Sequence, residues 1–164
     1  MASQGRWSSN ETSREEYELW GLLMQLNDVM FRARGDELRP LGLSSVQVWL
    51  MHIVKLLKRA GVPATPAEIS RWMYREPHTI SGLLNRMEKQ GLVKCTRNTQ
   101  GRRQVLAELT QKGEEVYRRQ NQQRVAIARI LGCLSPEERS QLRIFLERLR
   151  QQGLAVLAEK PLFP

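Results

Sequence analysis

Cysteine and histidine are scarce: the 164 residues hold two of each. Cys95 and Cys133 are too few for a disulfide framework. With His52 and His78 far apart as well, no zinc-type ligand cluster can be assembled, so no metal is expected. Long apolar runs are missing too. Nothing approaches the roughly 18 residues that a bilayer span needs, and the opening "MASQGRWSSNETSREE" has no apolar centre of the kind a secretory signal carries. The expectation is a cytoplasmic protein with no membrane partner. A Gly-rich phosphate loop, a G-x-S-x-G turn and paired histidines are all absent. Without a convergent nucleophile or acid–base set, neither an enzyme nor a cofactor is expected. Aromatic residues make up only 6%, with no platform on which unstacked RNA bases could lie.

Acidic side chains are also in deficit: 17 against 26 basic ones, a net charge of +9 and a pI near 10.2. Such an excess favours an acidic partner, nucleic acid first and a membrane surface second. Residues 1–60 are almost balanced, with 8 basic and 7 acidic groups. Residues 61–110 carry 8 against 4, and residues 111–164 carry 10 against 6. The excess therefore sits in the middle and the C-terminal third. A solvated basic surface without a partner is the plain alternative.

What is present is a succession of capped helices. Residues 1–12 read as a polar tail containing Trp7. Ser13 and Glu16 form an S-x-x-E capping box, followed by Tyr17, Leu19, Trp20, Leu22, Leu23, Leu26, Val29, Met30 and Ala33. That stripe covers more than one face, and a partner subunit is one way to cover it. Gly35 is expected to end this helix. Ser44 and Gln47 open a second one, with Val46, Val48, Trp49, Ile53, Leu56 and Leu57 as its stripe. Thr65, Pro66 and Glu68 open a short third helix with Ile69, Trp72 and Met73 as its buried side. Pro77 suits the first turn of a fourth, in which Ile80, Leu83, Leu84 and Met87 fall at i, i+3, i+4 and i+7. Gly91 stops it. Two short strands are expected at 92–97 and 103–109, with "NTQG" between them as a turn. Thr110 caps one fifth helix running through "QKGEEVYRRQNQQRVAIARILGCL". Ser135, Pro136 and Glu138 cap a sixth, and "KPLFP" lies beyond it. The fold class is mainly α with a small β-hairpin wing (α+β): a winged helix-turn-helix lobe plus a helical lobe. The expected organisation is a tail at 1–12, an N-terminal helix and turn at 13–43, and the winged helix-turn-helix lobe at 44–110. C-terminal helices follow at 111–158, then a tail at 159–164.

A short helix, a tight break, a second helix and a hairpin make a helix-turn-helix unit with a wing. In such units the second helix enters the DNA major groove and its N-terminal residues reach base edges. Opposite the apolar stripe, the fourth helix carries His78, Thr79, Ser81, Gly82, Asn85, Arg86 and Lys89. Asn can pair two edges of adenine, Ser and Thr suit either base, and Arg favours guanine or phosphate. Gly82 would permit close approach. An ordinary amphipathic helix with a polar outer face is the plain alternative. Arg97, Arg102 and Arg103, at or beside the hairpin tip, and Arg75 before the fourth helix are candidates for phosphate or minor-groove contact.

The segment "TPAEISRWMYREPHTISGLLNRMEKQGLVKCTRNTQGRRQVLAELTQKGEE" resembles the MarR family of bacterial winged-helix regulators, above all in "ISGLLNRMEKQGLV" and "LTQKG". The order of flanking helices extends the resemblance to residues 13–157. It implies a homodimer joined through the terminal helices that binds pseudo-palindromic duplex DNA. It further implies a repressor, released by a small phenolic, aromatic or otherwise apolar effector or by cysteine oxidation. The wing departs from the family pattern. Where the family has Asp-x-Arg-Asp, this chain has Asn98, Thr99, Gln100 and Gly101. Arg102 and Arg103 match the basic positions that follow, and Arg102 is expected to take over the minor-groove contact.

The resemblance thus implies dimerisation through residues 13–43 and 111–158 and DNA binding by 44–110; for the homodimer, Leu19, Leu22, Leu142, Phe145, Leu149 and Leu154 are candidates, and packing within one chain is the alternative. Trp20, Met24, Trp49, Ile53, Trp72 and Met73 could line an effector pocket, although aromatics and Met at helical spacing are more often core. His52 could orient a polar group of a ligand, although a satisfied surface or core histidine is the commoner case. Cys95 and Cys133 read as structural thiols, neither standing where the family's peroxide sensors place theirs. The competing reading is a winged-helix protein-interaction module without specific DNA binding.

Overall fold

The computed structural model describes residues 13–98 and 104–158. Trp7, both tails, Thr99, Gln100, Gly101, Arg102 and Arg103 lie outside the described residues. The helices are α1 (Arg14–Leu38), α2 (Ser45–Arg59), α3 (Pro66–Met73), α4 (Pro77–Lys89), α5 (Gln111–Gln122), α6 (Val125–Leu131) and α7 (Pro136–Ala158). A 3-10 turn, Arg39–Leu41, follows α1. Between α4 and α5 run β1 (Val93–Asn98) and β2 (Gln104–Leu109), one residue off the expected bounds. They pair antiparallel, with Val93 opposite Leu109, Cys95 opposite Ala107 and Asn98 opposite Gln104. The chain divides into two compact units, one ending at Gln123 and the other beginning at Arg124. Among the described residues no single helix is long and apolar enough to cross a membrane.

The helix starts follow local chemistry. The side chains of Ser13, Ser44, Thr65 and Thr110 each accept a hydrogen bond from the backbone N–H three residues on. Glu16 and Gln47 reach back to complete reciprocal boxes. Ser135 and Glu138 do the same for α7. At the far end of α4, Gly91 takes φ +70°, the left-handed region that closes a helix without a Cβ penalty.

The core belongs to the first unit. Leu38, Leu50, Met51, Ile53, Val54, Leu57, Ile69, Ile80, Leu84, Met87 and Val93 are almost fully enclosed. This differs from the expected stripe of α2: Leu50, Met51 and Val54 are buried, while Trp49 is 47% exposed. Central α2 packs against α1, α3, α5 and β2, so it buries more than one face and simple amphipathic counting misplaces the edges. Trp72, expected inside, stands 45% exposed. In the short α3, Ile69 and Met73 lie one helical turn apart on the buried side, and Trp72 points away from it.

Two expected boundaries are corrected. Gly35 does not end α1, which continues to the fully buried Leu38. That burial compensates a glycine cost of about 1 kcal/mol in a helix interior. The long fifth helix is in fact two, broken at Gln123 and Arg124, whose ψ angles of 49° and 44° are not helical. Arg34 of α1 holds the end of α5 at this break. Its Nη1 donates to the Gln123 carbonyl at 3.0 Å and its Nη2 to the Gln120 carbonyl at 3.1 Å. It also bonds the Gln120 side-chain oxygen and pairs with Glu37. The Gln120 carbonyl also accepts the Gln123 N–H at 3.3 Å, so the guanidinium reinforces this last turn of α5.

In the second unit α7 buries none of its residues, and Ile144, Phe145, Leu146, Leu149, Val156 and Leu157 are all exposed. In the first unit α1 likewise leaves Tyr17, Leu19, Trp20, Leu22, Leu26 and Val29 exposed.

Candidate nucleic-acid interface

α4 has two faces of opposite character. Ile80, Leu83, Leu84 and Met87 are buried, which anchors the helix against α3 and β1. His78, Thr79, Gly82, Asn85, Arg86 and Lys89 occupy the complementary positions and are all exposed. Ser81 lies at the edge, half-buried, and its Oγ donates to the Pro77 carbonyl at 3.0 Å. Its hydroxyl proton is thus engaged, leaving Oγ free chiefly as an acceptor. Gly82 sits at the centre of the outer face. A Cβ built there meets no atom of the described residues within 4 Å, so none of them requires a glycine.

The turn before α4 is tight. Tyr74 takes φ +50°, ψ +47°, an uncommon conformation for a bulky residue. The Arg75 N–H donates to the Ser70 carbonyl at 3.2 Å, and the Ser70 hydroxyl donates to the Arg75 carbonyl. Ser70 thereby fixes both backbone groups of Arg75, whose side chain is exposed at the entrance to α4.

The end of α4 is sealed to the start of α5. Thr110 Oγ1 donates to the Gly91 carbonyl at 2.6 Å and accepts from the Gly113 N–H at 3.0 Å. Lys112 Nζ donates to the Gln90 carbonyl at 2.8 Å. Gly113 is buried, and a Cβ there would stand 2.0 Å from the Leu92 carbonyl oxygen. The motif "LTQKG" is therefore a clasp: Thr caps, Lys neutralises the helix end, and Gly permits contact.

The hairpin beyond the clasp is held on both flanks. The Cys95 N–H donates to Glu88 Oε1 at 2.8 Å. Its cross-strand partner Ala107 sends its N–H the other way, to the Ala64 carbonyl at 3.0 Å. Sequence reasoning missed Glu88, since an acid on a basic face has no visible partner in the sequence. Arg97 pairs with Val105 in the ladder, which places its backbone beside the tip.

The remaining candidates are dispersed. Trp20, Met24, Trp49 and Trp72 are exposed, whereas Ile53 and Met73 belong to the core. His52 stacks on Trp49 at 5.3 Å, and its Nδ1 lies 2.8 Å from the Tyr117 hydroxyl. A concavity of about 370 Å³ in the second unit is lined by Leu131, Leu142 and Leu146 together with Arg139, Arg143, Glu147 and Arg150. Burial pushes the Cys95 thiol above its ordinary pKa, and the Glu88 carboxylate adds to the effect. Both causes disfavour the thiolate that a sensor needs. Cys133 is exposed, its Sγ 3.1 Å from the Ile130 carbonyl. Among the described residues no group of three or more metal-ligating side chains comes together.

Residues 43–113 match the family model of a winged helix DNA-binding domain. The chain is 28% identical to YfiV of Bacillus subtilis (strain 168), an uncharacterized HTH-type transcriptional regulator, over 92% of this chain and 88% of the relative. Among solved structures, the organohalide sensing RdhR transcriptional regulator in its 2,4-dichlorophenol bound form superposes with a TM-score of 0.78. It is 26% identical and covers 98% of this chain and 95% of its own. AbsC, a MarR family transcriptional regulator from Streptomyces coelicolor, gives 0.76 at 20% identity over 90% of this chain and 99% of that one. A mutant MarR from E. coli complexed with operator DNA gives 0.74 at 20% identity, over 85% and 99%. YfiV, RdhR and AbsC are all described as transcriptional regulators. The resemblance read from "ISGLLNRMEKQGLV" and "LTQKG" therefore holds: residues 43–113 match a winged helix DNA-binding domain, and the chain carries the fold of the MarR-family transcriptional regulators.

Proposed function

We propose that the chain is a homodimeric repressor that reads a pseudo-palindromic duplex operator and is released by a small apolar or aromatic effector. The observation that carries this reading is the outer face of α4. His78, Thr79, Gly82, Asn85 and Arg86 are exposed together on a helix whose other face is locked into the core. Asn85 and Arg86 are the side chains suited to base edges, with Thr79 and Ser81 as short partners. Arg75 and Lys89 bracket the helix and take phosphates, while Arg97, Arg102 and Arg103 extend the contact along the wing. Residues 44–110 act as the reading lobe in this scheme.

The homodimer is supported by apolar surface that a single chain leaves open. Leu19 and Leu22 on α1 are more than half exposed, as are Phe145 and Leu149 on α7; Leu142 and Leu154 are half-buried. Residues 13–43 and 111–158 form the dimerising part. The effector reading rests on the exposed Trp20, Met24, Trp49 and Trp72, and on a similar regulator having been crystallised with 2,4-dichlorophenol. The solved MarR–operator complex likewise supports DNA as the partner.

Selection of bound duplexes from a random pool tests the proposal. Two inverted half-sites with centres about 34 Å apart are expected, one per recognition helix. A pool that fails to enrich, while the protein captures another protein, would favour an interaction module. Enrichment of a single unpaired half-site would remove the dimer.

A further inference from the structure

The wing of this chain lacks the acids that the resemblance leads one to expect at its tip, yet one rung of the hairpin is fastened from outside on both edges. Cys95 and Ala107 face each other across the ladder. In an antiparallel pair, alternate rungs turn their N–H groups away from each other. Here both outward groups are used: Cys95 donates to Glu88 Oε1 and Ala107 donates to the Ala64 carbonyl. One flank is the loop between α2 and α3. The other is the side chain of α4 itself, one position before Lys89. The hairpin is therefore tied directly to the helix that reads DNA, through a group that mutation can alter without touching the backbone.

We propose that Glu88 is a positioning residue that sets the wing against α4, so that both grip one duplex at once. The inference rests on the DNA-binding reading above. Glu88 is a paradox if judged by charge alone, since a carboxylate on an exposed DNA-facing helix repels phosphate. Its removal should then strengthen binding. If it positions the wing, its removal should weaken binding despite the lost repulsion. Two substitutions separate the effects. Glu88→Ala and Glu88→Gln each remove one negative charge, but only Gln keeps an oxygen that can accept the Cys95 N–H. Both residues are good helix formers, so α4 persists in either variant.

The experiment measures duplex affinity at fixed salt for the full-length protein and both variants, in the native background and in Arg102→Ala/Arg103→Ala. The probe is the duplex enriched from the random pool, or generic duplex DNA at low salt if none is enriched. Amide hydrogen exchange at Cys95 is followed in the free proteins. Glu88→Ala should bind about two- to tenfold more weakly than Glu88→Gln, the range spanned by one lost hydrogen bond. The difference should vanish when the wing arginines are gone. The Cys95 amide should exchange faster in Glu88→Ala than in Glu88→Gln. Equal affinities of the two variants with the native wing overturn the proposal, as does a difference that survives removal of the arginines. Equal Cys95 exchange also overturns it. If the unsubstituted protein binds no duplex at all, the DNA reading fails, while Cys95 exchange still decides whether Glu88 holds the strand.

Discussion

Glycine in the middle of a helix is a cost of about 0.8–1.0 kcal/mol relative to alanine, and Gly82 bears it at the centre of the exposed face of α4. No neighbour among the described residues explains it, because a Cβ at this position meets none of their atoms within 4 Å. Gly82→Ala should therefore stabilise the isolated protein by nearly the full propensity difference. For a chain of this size, 1 kcal/mol corresponds to a rise of roughly 2–4 °C in Tm. In the proposed DNA-binding reading, the same methyl group would stand where α4 meets a base or sugar edge. Displacing one well-formed base contact costs about 1–3 kcal/mol, so duplex affinity should fall by about fivefold to 150-fold. The assay pairs urea or thermal unfolding with fluorescence anisotropy titration of a labelled operator at constant ionic strength. Stability and binding must move in opposite directions. A variant that is more stable and binds as well as the original refutes the close approach at Gly82. A variant that is less stable refutes the open space on which the reasoning depends.

Gly113 is the opposite case. Gly113→Ala would press a methyl against the Leu92 carbonyl oxygen at 2.0 Å, so a loss of at least about 1–3 kcal/mol is expected in urea unfolding; an unchanged midpoint would mean the clasp can relax. Thr110→Ala removes the cap on Gly113 and the donor to Gly91. It should cost about 1–2 kcal/mol, with Thr110→Ser restoring most of it; equal midpoints for the two variants would count against the cap. Leu149→Glu acts on a side chain 55% exposed in the single chain. It should leave the circular dichroism spectrum intact and convert a dimer to monomer in sedimentation at low micromolar concentration. A protein that sediments unchanged would sink the assignment of that face.

Much of this structure was legible because its rules are local. A helix start needs a side-chain oxygen three residues before a free N–H, and Ser13, Ser44, Thr65, Thr110 and Ser135 all supply one. The two faces of α4 follow from a 3.6-residue period that no tertiary contact disturbs. Where distant groups intervene, the reading failed. Gly35 reads as a stop only if Leu38, three residues later, is not drawn into the core. Trp72 reads as core only if a short helix buries its bulkiest residue, and α3 turns Ile69 and Met73 inward instead. Central α2 is packed on several sides, so Leu50, Met51 and Val54 carry burial that a single stripe does not show. Glu88 was invisible for a related reason: its value lies in an outward N–H seven residues later, and which edge of a hairpin faces a helix is decided by topology.

The guanidinium of Arg34 fastens the end of α5 to another helix. Residues 120–126, "QNQQRVA", contain no proline or glycine, and nothing in them forbids a continuous helix. The groups that hold this end, the Gln120 and Gln123 carbonyls and the Gln120 side chain, answer to one residue 86 and 89 positions upstream. A substitution of Arg34 is therefore expected to be felt at the last turn of α5 as well as in α1.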